Sequence, residues 1–322
     1  MTLSSDLPKP TPSLFYTPKK INQYPIALPG TDCFIKPQVS LANLTSFRVG
    51  GLAQWYVAPR NWEDLQASFE WFLRQDLPLT LLGAGSNLLV SDRGIPGLVI
   101  STRHLRQSQF DPETGQVTAG AGEPIARLAW QAAKRGWRGL EWAVGIPGTV
   151  GGAVVMNAGA HKDCAADILV NVLVVSPDGK VEELTKADLN YSYRRSTLQG
   201  DKRLVIQATF QLQRDSTKAE VMATTSQNLK KRKSSQPYDK PSCGSVFRNP
   251  TPHAAGWLIE QIGLKGYQIG DAQVAHRHAN FILNCGSAKA DDIFRLISYV
   301  QEQVESHWSL YLEPEVKLLG EF

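Results

Sequence analysis

The apolar positions of this chain change period several times, and each change predicts a different element. "AQWYVAPR" (53–60) is a short apolar and aromatic run that predicts a strand. In "NWEDLQASFEWFLRQ" (61–75) Trp62, Leu65, Phe69 and Phe72 recur at helical spacing, which predicts an amphipathic helix with Asn61 as its cap. "LPLTLLG" (77–83) is apolar at successive positions and predicts a buried strand. Short strands are then expected at "LLVSD", "GLVIST" and "QVTAGAG", followed by a helix over "EPIARLAWQAAKRGW" that ends before Gly139. Beyond a glycine-rich run, "ILVNVLVVSP", "VEELT" and "LVIQATFQLQ" read as strands, with a turn at "PDGK".

The pattern alters near Asp215. "STKAEVMATTSQNLKKRKSSQ" predicts a polar helix, "AAGWLIEQIGL" a short helix, "FILNC" a strand and "KADDIFRLISYVQEQVESHW" a long amphipathic helix. "SLYLEPEVKLLG" closes the chain as a strand. Residues 1–36, rich in proline and polar residues and without a period, are expected to be a flexible or surface-wrapping extension, with ordered structure starting near "SLANLTSFRVGG" (40–51). The expected division is 1–36 extension, 37–214 first domain in two lobes, 215–304 second domain, and 305–322 a strand returning to the site.

Composition adds mostly exclusions. A chain of 322 residues with 42% hydrophobic and 20% charged residues suits a globular protein of two domains. No apolar run of about 18 residues is present, so no membrane helix is expected. The absence of a signal-peptide pattern makes the cytoplasm the expected location. A net charge of +4 is too small and dispersed to imply a nucleic-acid partner. Its one dense cluster, Lys230–Lys233, reads either as a solvated helix end or as a field that draws in a phosphorylated ligand. Cys33, Cys164, Cys243 and Cys285 lie far apart, which argues against zinc or a disulfide framework and for ordinary thiols; no metal site is expected.

Two glycine loops carry the first candidate chemistry. "LLGAGSNLLVSD" departs from the dinucleotide fingerprint, because Leu88 stands at the third glycine position and a strand-like run follows where a helix should start. Gly83, Gly85, Ser86 and Asn87 form either an anion nest or a tight turn. "GIPGTVGGAVVMNAGAH" holds Gly145, Gly148, Gly151, Gly152 and Gly159, with Thr149 and Asn157. Each glycine inside a regular element costs roughly 0.5–1 kcal/mol relative to alanine, so this density points more to a ligand site than to unusual turns. Two such loops suit a ligand with two phosphates, and FAD is a natural candidate.

Taken together, "TSFRVGG", "LLGAGSNLLVSD", "GIPGTVGGAVVMNAGAH", "YSYRRS", "PSCGSVFRNP", "GLKGYQIGDAQVAHRHANFILN" and "LEPEVKLLG" occur in one order. The chain thereby resembles, from about Leu41 to Gly320, the UDP-N-acetylenolpyruvoylglucosamine reductase family of bacterial cell-wall synthesis. The resemblance implies an α+β fold: a two-lobed FAD-binding domain of the PCMH/vanillyl-alcohol-oxidase type followed by a smaller α+β substrate-binding domain. It implies non-covalent FAD, NADPH as co-substrate, and reduction of UDP-N-acetylglucosamine enolpyruvate to UDP-N-acetylmuramate for peptidoglycan, in a monomeric, membrane-free enzyme.

Site residues follow from the same resemblance. Arg194 matches the family's active-site arginine, and a guanidinium suits the substrate carboxylate on which charge develops. Ser245 matches the proton donor, presented by the bend at Gly244, and Cys243 becomes a bystander thiol. Glu315 matches the catalytic glutamate, with Glu313 in reserve on the same strand face if Pro314 keeps the alternation. The implied cofactor contacts are Arg48, Gly83, Ala84, Gly85, Ser86, Asn87, Leu88, Gly145, Ile146, Pro147, Gly148, Thr149, Gly151, Gly152, Asn157, Gly159, Ala160 and Ile206. Substrate contacts are implied at Tyr193, Arg248, Asn249, Lys265, Tyr267 and His278, with His276 and Arg277 weaker. Only about fifty residues separate Arg194 from Ser245, so the chain looks like the shorter, type II form, in which "SSQPYDKPS" can contribute a lid through Tyr238. Two rivals stay open: an oxidase of the same flavin fold with flavin tethered at His161 or Cys164, and a binding protein that has lost turnover.

Overall fold

The structure is a computed structural model that describes residues 24–322. Ordered structure begins earlier than Ser40. Ile26–Ala27 and Phe34–Ser40 pair antiparallel, and Leu28 and Ile35 are fully buried, so the expected extension is wrong for residues 24–36. Proline and polar content hid these strands because only alternate residues face the core. The rest of the expected extension, 1–23, lies outside the described residues.

The first sheet runs Ile26–Ala27, Phe34–Ser40, Leu52–Val57, Ile95–Ser101, Leu79–Leu82 in spatial order, with its last three strands parallel. The Trp62–Leu73 helix supplies the crossover a parallel pair requires, and Asn61 caps it by accepting from the Asp64 N–H at 2.8 Å. The second sheet is antiparallel: Val181–Thr185, Leu169–Val175, Leu204–Gln211, Gln116–Gly120, Ser108–Phe110. Its inner face packs on the Ile125–Ala133 helix around Trp142, Phe210 and Leu128. That helix ends three residues before Gly136, where φ +75° turns the chain, earlier than the expected stop at Gly139.

The third unit packs a small sheet, Gln268–Ile269, Ala272–Val274 and Ile282–Asn284, under the Ala255–Gln261 and Ala290–Trp308 helices. Its core is not self-contained: Phe47, Val49 and Leu89 from the first unit are buried in it. Asp92 accepts the Ala290 and Asp291 N–H groups at 3.0 Å each, capping the long helix from outside, and Asn284 donates to the Phe47 carbonyl at 3.0 Å. The chain end is less strand-like than expected. Only Lys317–Leu319 forms a strand, parallel to Leu88–Val90 and directly beyond the first glycine loop.

Candidate active site

The two glycine loops meet face to face. A Cβ on Gly83 would lie 2.9 Å from Thr149 Oγ1, and one on Gly148 would lie 3.1 Å from Ser86 Oγ. Gly85, at φ +67°, needs glycine on two grounds, since a Cβ there would sit 2.1 Å from the Leu44 carbonyl oxygen. The second loop contains an unexpected short helix, Val150–Val155. Thr149 caps it through the Gly152 N–H, while Val150 and Gly151 donate to the Glu123 and Ala121 carbonyls. That pinning of its first turn by neighbouring strand ends is tertiary, so glycine density concealed the helix. Where the loops meet, backbone, glycines and the small hydroxyls of Ser86 and Thr149 face one another. Such a lining fits the close backbone approach that a dinucleotide diphosphate requires, so the residues present fit FAD.

The other expected cofactor residues fall in several places. Leu88 opens the strand beyond the first loop, and Arg48, at φ +57°, is exposed two residues after Ser46, whose N–H bonds to the Gly85 carbonyl of that loop. Gly159–Ala160 pairs with Asp163–Cys164, and the Ile206 carbonyl accepts from the Ala121 N–H at 2.9 Å. Asn157 is buried with its amide committed internally: Nδ2 donates to the Ser192 carbonyl at 2.9 Å and Oδ1 accepts from the Ala166 N–H at 3.1 Å. Its side chain braces the "YSYRRS" turn from behind.

That turn carries Arg194 at φ +57°, a strained region for an arginine. The guanidinium bridges two regions: Nε donates to Glu315 Oε1 at 3.0 Å, and Nη2 donates to the Gly159 carbonyl at 2.7 Å. Both side chains are largely buried, and burial raises the Glu315 carboxyl above the usual range despite the opposing pull of Arg194, Arg248 and Lys317. Glu313 points to the same side and accepts from Arg195 and from Arg248 Nη1, each at 2.9 Å. Arg248 is buried, donates also to the Arg194 carbonyl at 3.3 Å, and leaves its Nε without a partner among the described residues. Lys317 lies beside them, its ammonium pulled down in pKa by burial and then by Arg248. Tyr193 is exposed, its ring 5.2 Å from the Arg194 guanidinium carbon.

Ser245 enters this cluster through backbone pairing. Gly244 turns at φ +84°, Val246 and Arg248 then bond to the Glu313–Glu315 segment, and the Glu315 N–H reaches the Val246 carbonyl at 2.7 Å. Asn280, which sequence reasoning missed, holds the turn by donating to and accepting from the Phe247 backbone at 2.8 and 2.9 Å. Its only signal was a polar residue inside the apolar "ANFILN" run. The Ser245 hydroxyl is half-buried and has no hydrogen bond among the described residues. Cys243 is buried beside Glu315, and burial pushes its thiol far up, in keeping with a bystander.

Three expected substrate residues make contacts outside the cluster. Asn249 accepts from the Ala255 N–H at 3.1 Å, Lys265 pairs with Glu260 at 2.5 Å, and Tyr267 stacks on Tyr299 at 4.4 Å. His278 is linked to the site through Asn280, whose N–H it accepts at 3.3 Å, and burial lowers its pKa. His276 packs under Gly266, and Arg277 reaches the Gln236 carbonyl at 3.5 Å. Tyr238 touches the second loop: its hydroxyl donates to the Gly145 carbonyl at 3.3 Å and accepts from Arg232 at 2.9 Å. Arg232 is thus not merely a solvated helix-end charge. Cys164 donates from Sγ to Asp167 at 3.2 Å, and His161 is exposed. No cluster of metal-binding side chains occurs among the described residues, and no described helix is long and apolar enough to cross a membrane.

Comparison with known proteins adds independent findings. A model of an FAD binding domain matches residues 53–185, and a model of the UDP-N-acetylenolpyruvoylglucosamine reductase C-terminal domain matches residues 236–319. The chain is 66% identical over 297 residues to the UDP-N-acetylenolpyruvoylglucosamine reductase of Nostoc sp., covering 92% of this chain and 90% of that protein. It is 63% identical over 300 residues to the Synechocystis sp. protein of the same name, covering 92% and 94%. Its structure is similar to the crystal structure of the Thermus caldophilus reductase, with a TM-score of 0.76 at 35% identity, over 89% of this chain and all of that one.

Proposed function

This chain belongs to the UDP-N-acetylenolpyruvoylglucosamine reductase family and is an FAD flavoenzyme that reduces the enolpyruvyl UDP-sugar of peptidoglycan synthesis, and we propose that Arg194, Ser245 and Glu315 carry the proton half of that reaction. NADPH is the reductant, FAD is held without a covalent bond, and the enzyme works as a cytoplasmic monomer. Among the described residues, 24–214 form the FAD-binding domain, 215–304 the substrate domain, and 305–322 the returning segment. The chemistry supplied by bound FAD is relay of a hydride from the nicotinamide to the vinyl carbon of the substrate. In balance, the C=C double bond and NADPH plus one proton become a C–H/C–H pair and NADP+.

Arg194 and Arg248 hold the substrate carboxylate, on which negative charge develops as hydride arrives. Ser245 Oγ gives its proton to the adjacent carbon, and its free hydroxyl among the described residues leaves that proton uncommitted. Glu315, kept protonatable by burial, returns the proton to the serine directly or through water. Gly83–Ser86 and Gly145–Thr149 line the cofactor, the Asn87 amide turns to the Glu315 carbonyl instead, Tyr238 covers the second loop, and Tyr193, Asn249, Lys265, Tyr267 and His278 meet the UDP-sugar. The observation that carries this reading is the convergence of Arg194, the Ser245 turn and Glu315 from three distant stretches of sequence.

Anaerobic stopped-flow absorbance tests it in two halves. NADPH should bleach the flavin band, and UDP-N-acetylglucosamine enolpyruvate should restore it; failure of the second step sinks the assignment. Ser245→Ala should keep the first half and lose the second. Normal rates in both halves would exclude Ser245 as proton donor. Yellow colour retained in acid-precipitated protein would instead indicate a covalent flavin and favour the oxidase reading.

A further inference from the structure

The first glycine loop and the Glu315 segment are joined by one side chain. Asn87 Nδ2 donates to the Glu315 carbonyl at 3.0 Å, and the Asn87 carbonyl accepts from the Lys317 N–H at 3.0 Å. One residue later the parallel ladder Lys317↔Leu88, Leu318↔Leu89, Leu319↔Val90 begins. Asn87 therefore extends the ladder, by its amide, to the residue where main-chain pairing stops. On the opposite side the Glu315 N–H is held by the Val246 carbonyl, and the carboxylate is held by Arg194. The backbone of Glu315 is thus gripped from the glycine loop on one edge and from the Ser245 turn on the other.

We propose that Asn87 is a positioning residue for Glu315, so that the loop assigned to the cofactor also sets the geometry of the proton-returning carboxyl. The inference rests on the role of Glu315 proposed above. An amide that satisfies a main-chain carbonyl fixes where the peptide lies, and Pro314 removes one N–H that could otherwise help anchor this stretch. Freed of Asn87, the segment shifts relative to Arg194 and Ser245, and a displacement near 1 Å can cost about 10²-fold in rate. The charged and titratable groups around Glu315 are Arg194, Arg248 and Lys317, with Cys243 beside it and Glu313 two residues away. A shift of the carboxyl among these groups also moves its titration.

The test uses FAD-loaded Asn87→Ala, with the isosteric Asn87→Asp as the second variant should alanine fail to fold, and Asn87→Ser as the variant that keeps a donor. Flavin reduction by NADPH should stay within about twofold of wild type, and flavin loss on dilution within about threefold. Reoxidation by saturating substrate should slow about tenfold or more in the alanine and aspartate variants, with partial recovery in serine. The pH midpoint of reoxidation should move with it. Two results overturn the proposal: flavin loss accelerated about tenfold with normal reoxidation, which makes Asn87 a cofactor ligand, or equal slowing of both halves with an unmoved pH midpoint, which makes it purely structural. Wild-type enzyme that substrate cannot reoxidise would count against the proposed function instead, a result visible before any variant is made.

Discussion

Two ion pairs of nearly equal length stand side by side at the candidate site. Arg194–Glu315 measures 3.0 Å and Arg195–Glu313 measures 2.9 Å, between neighbouring arginines and glutamates two residues apart. Their surroundings differ. The side chains of the first pair are 20% and 16% exposed, those of the second 59% and 50%. In the first pair burial outweighs the guanidinium and raises the carboxyl, whereas water screens the second. Contact distance therefore says little about what an ion pair contributes; the dielectric around it decides.

Substitutions at four residues press on this contrast, in falling order of expected effect. Arg194→Ala leaves Glu315 buried without its partner and should cost about 3 kcal/mol of stability with at least about 10²-fold in substrate-driven reoxidation, read by thermal unfolding and stopped flow. Arg194→Lys should not restore the rate, because an ammonium cannot make the fork to Glu315 and Gly159. Glu315→Gln should slow the same half by about 10–10²-fold. It should also flatten a pH dependence: with the folded carboxyl raised, its protonated form is lost as pH rises through that raised value, so wild-type reoxidation falls with rising pH while the variant does not.

Glu313→Ala comes third. It frees exposed Arg195 at little cost but also strips the partner from buried Arg248, so about 1–2 kcal/mol and a raised KM for substrate are expected. Arg195→Ala should do least, within about 0.5 kcal/mol and about twofold in either half-reaction. If Arg195→Ala matched Arg194→Ala, the burial argument would fail.

Legibility in the sequence differed between the two halves of the site. The glycine loops were visible because their function lies in the backbone: Gly85 and Gly148 stand where side chains cannot, and that demand is written as residue type. Most elements were likewise legible from period, including the Asn61 cap. The helix at Val150–Val155 was not, since its first turn is held by Glu123 and Ala121 from another element. The strands at Ile26–Ala27 and Phe34–Ser40 were not, since a short half-buried edge carries little periodic signal. Motif resemblance pointed to Arg194, Ser245 and Glu315, yet it put Asn157 among cofactor contacts, where the fold spends its amide on the backbone behind Arg194.

By itself the sequence determined the two backbone loops, because they depend on residue type at short spacing, and through the resemblance of its ordered motifs it pointed to the family, the α+β class and the FAD-linked reduction. Only the tertiary structure decided which of two adjacent arginines is buried, that burial raises the Glu315 carboxyl, and that Asn87 ties the first glycine loop to Glu315. Those outcomes depend on how much water remains around a group and on which peptide edges meet. Both are set by chain segments as far apart as Asn87 and Glu315, and no local pattern records them.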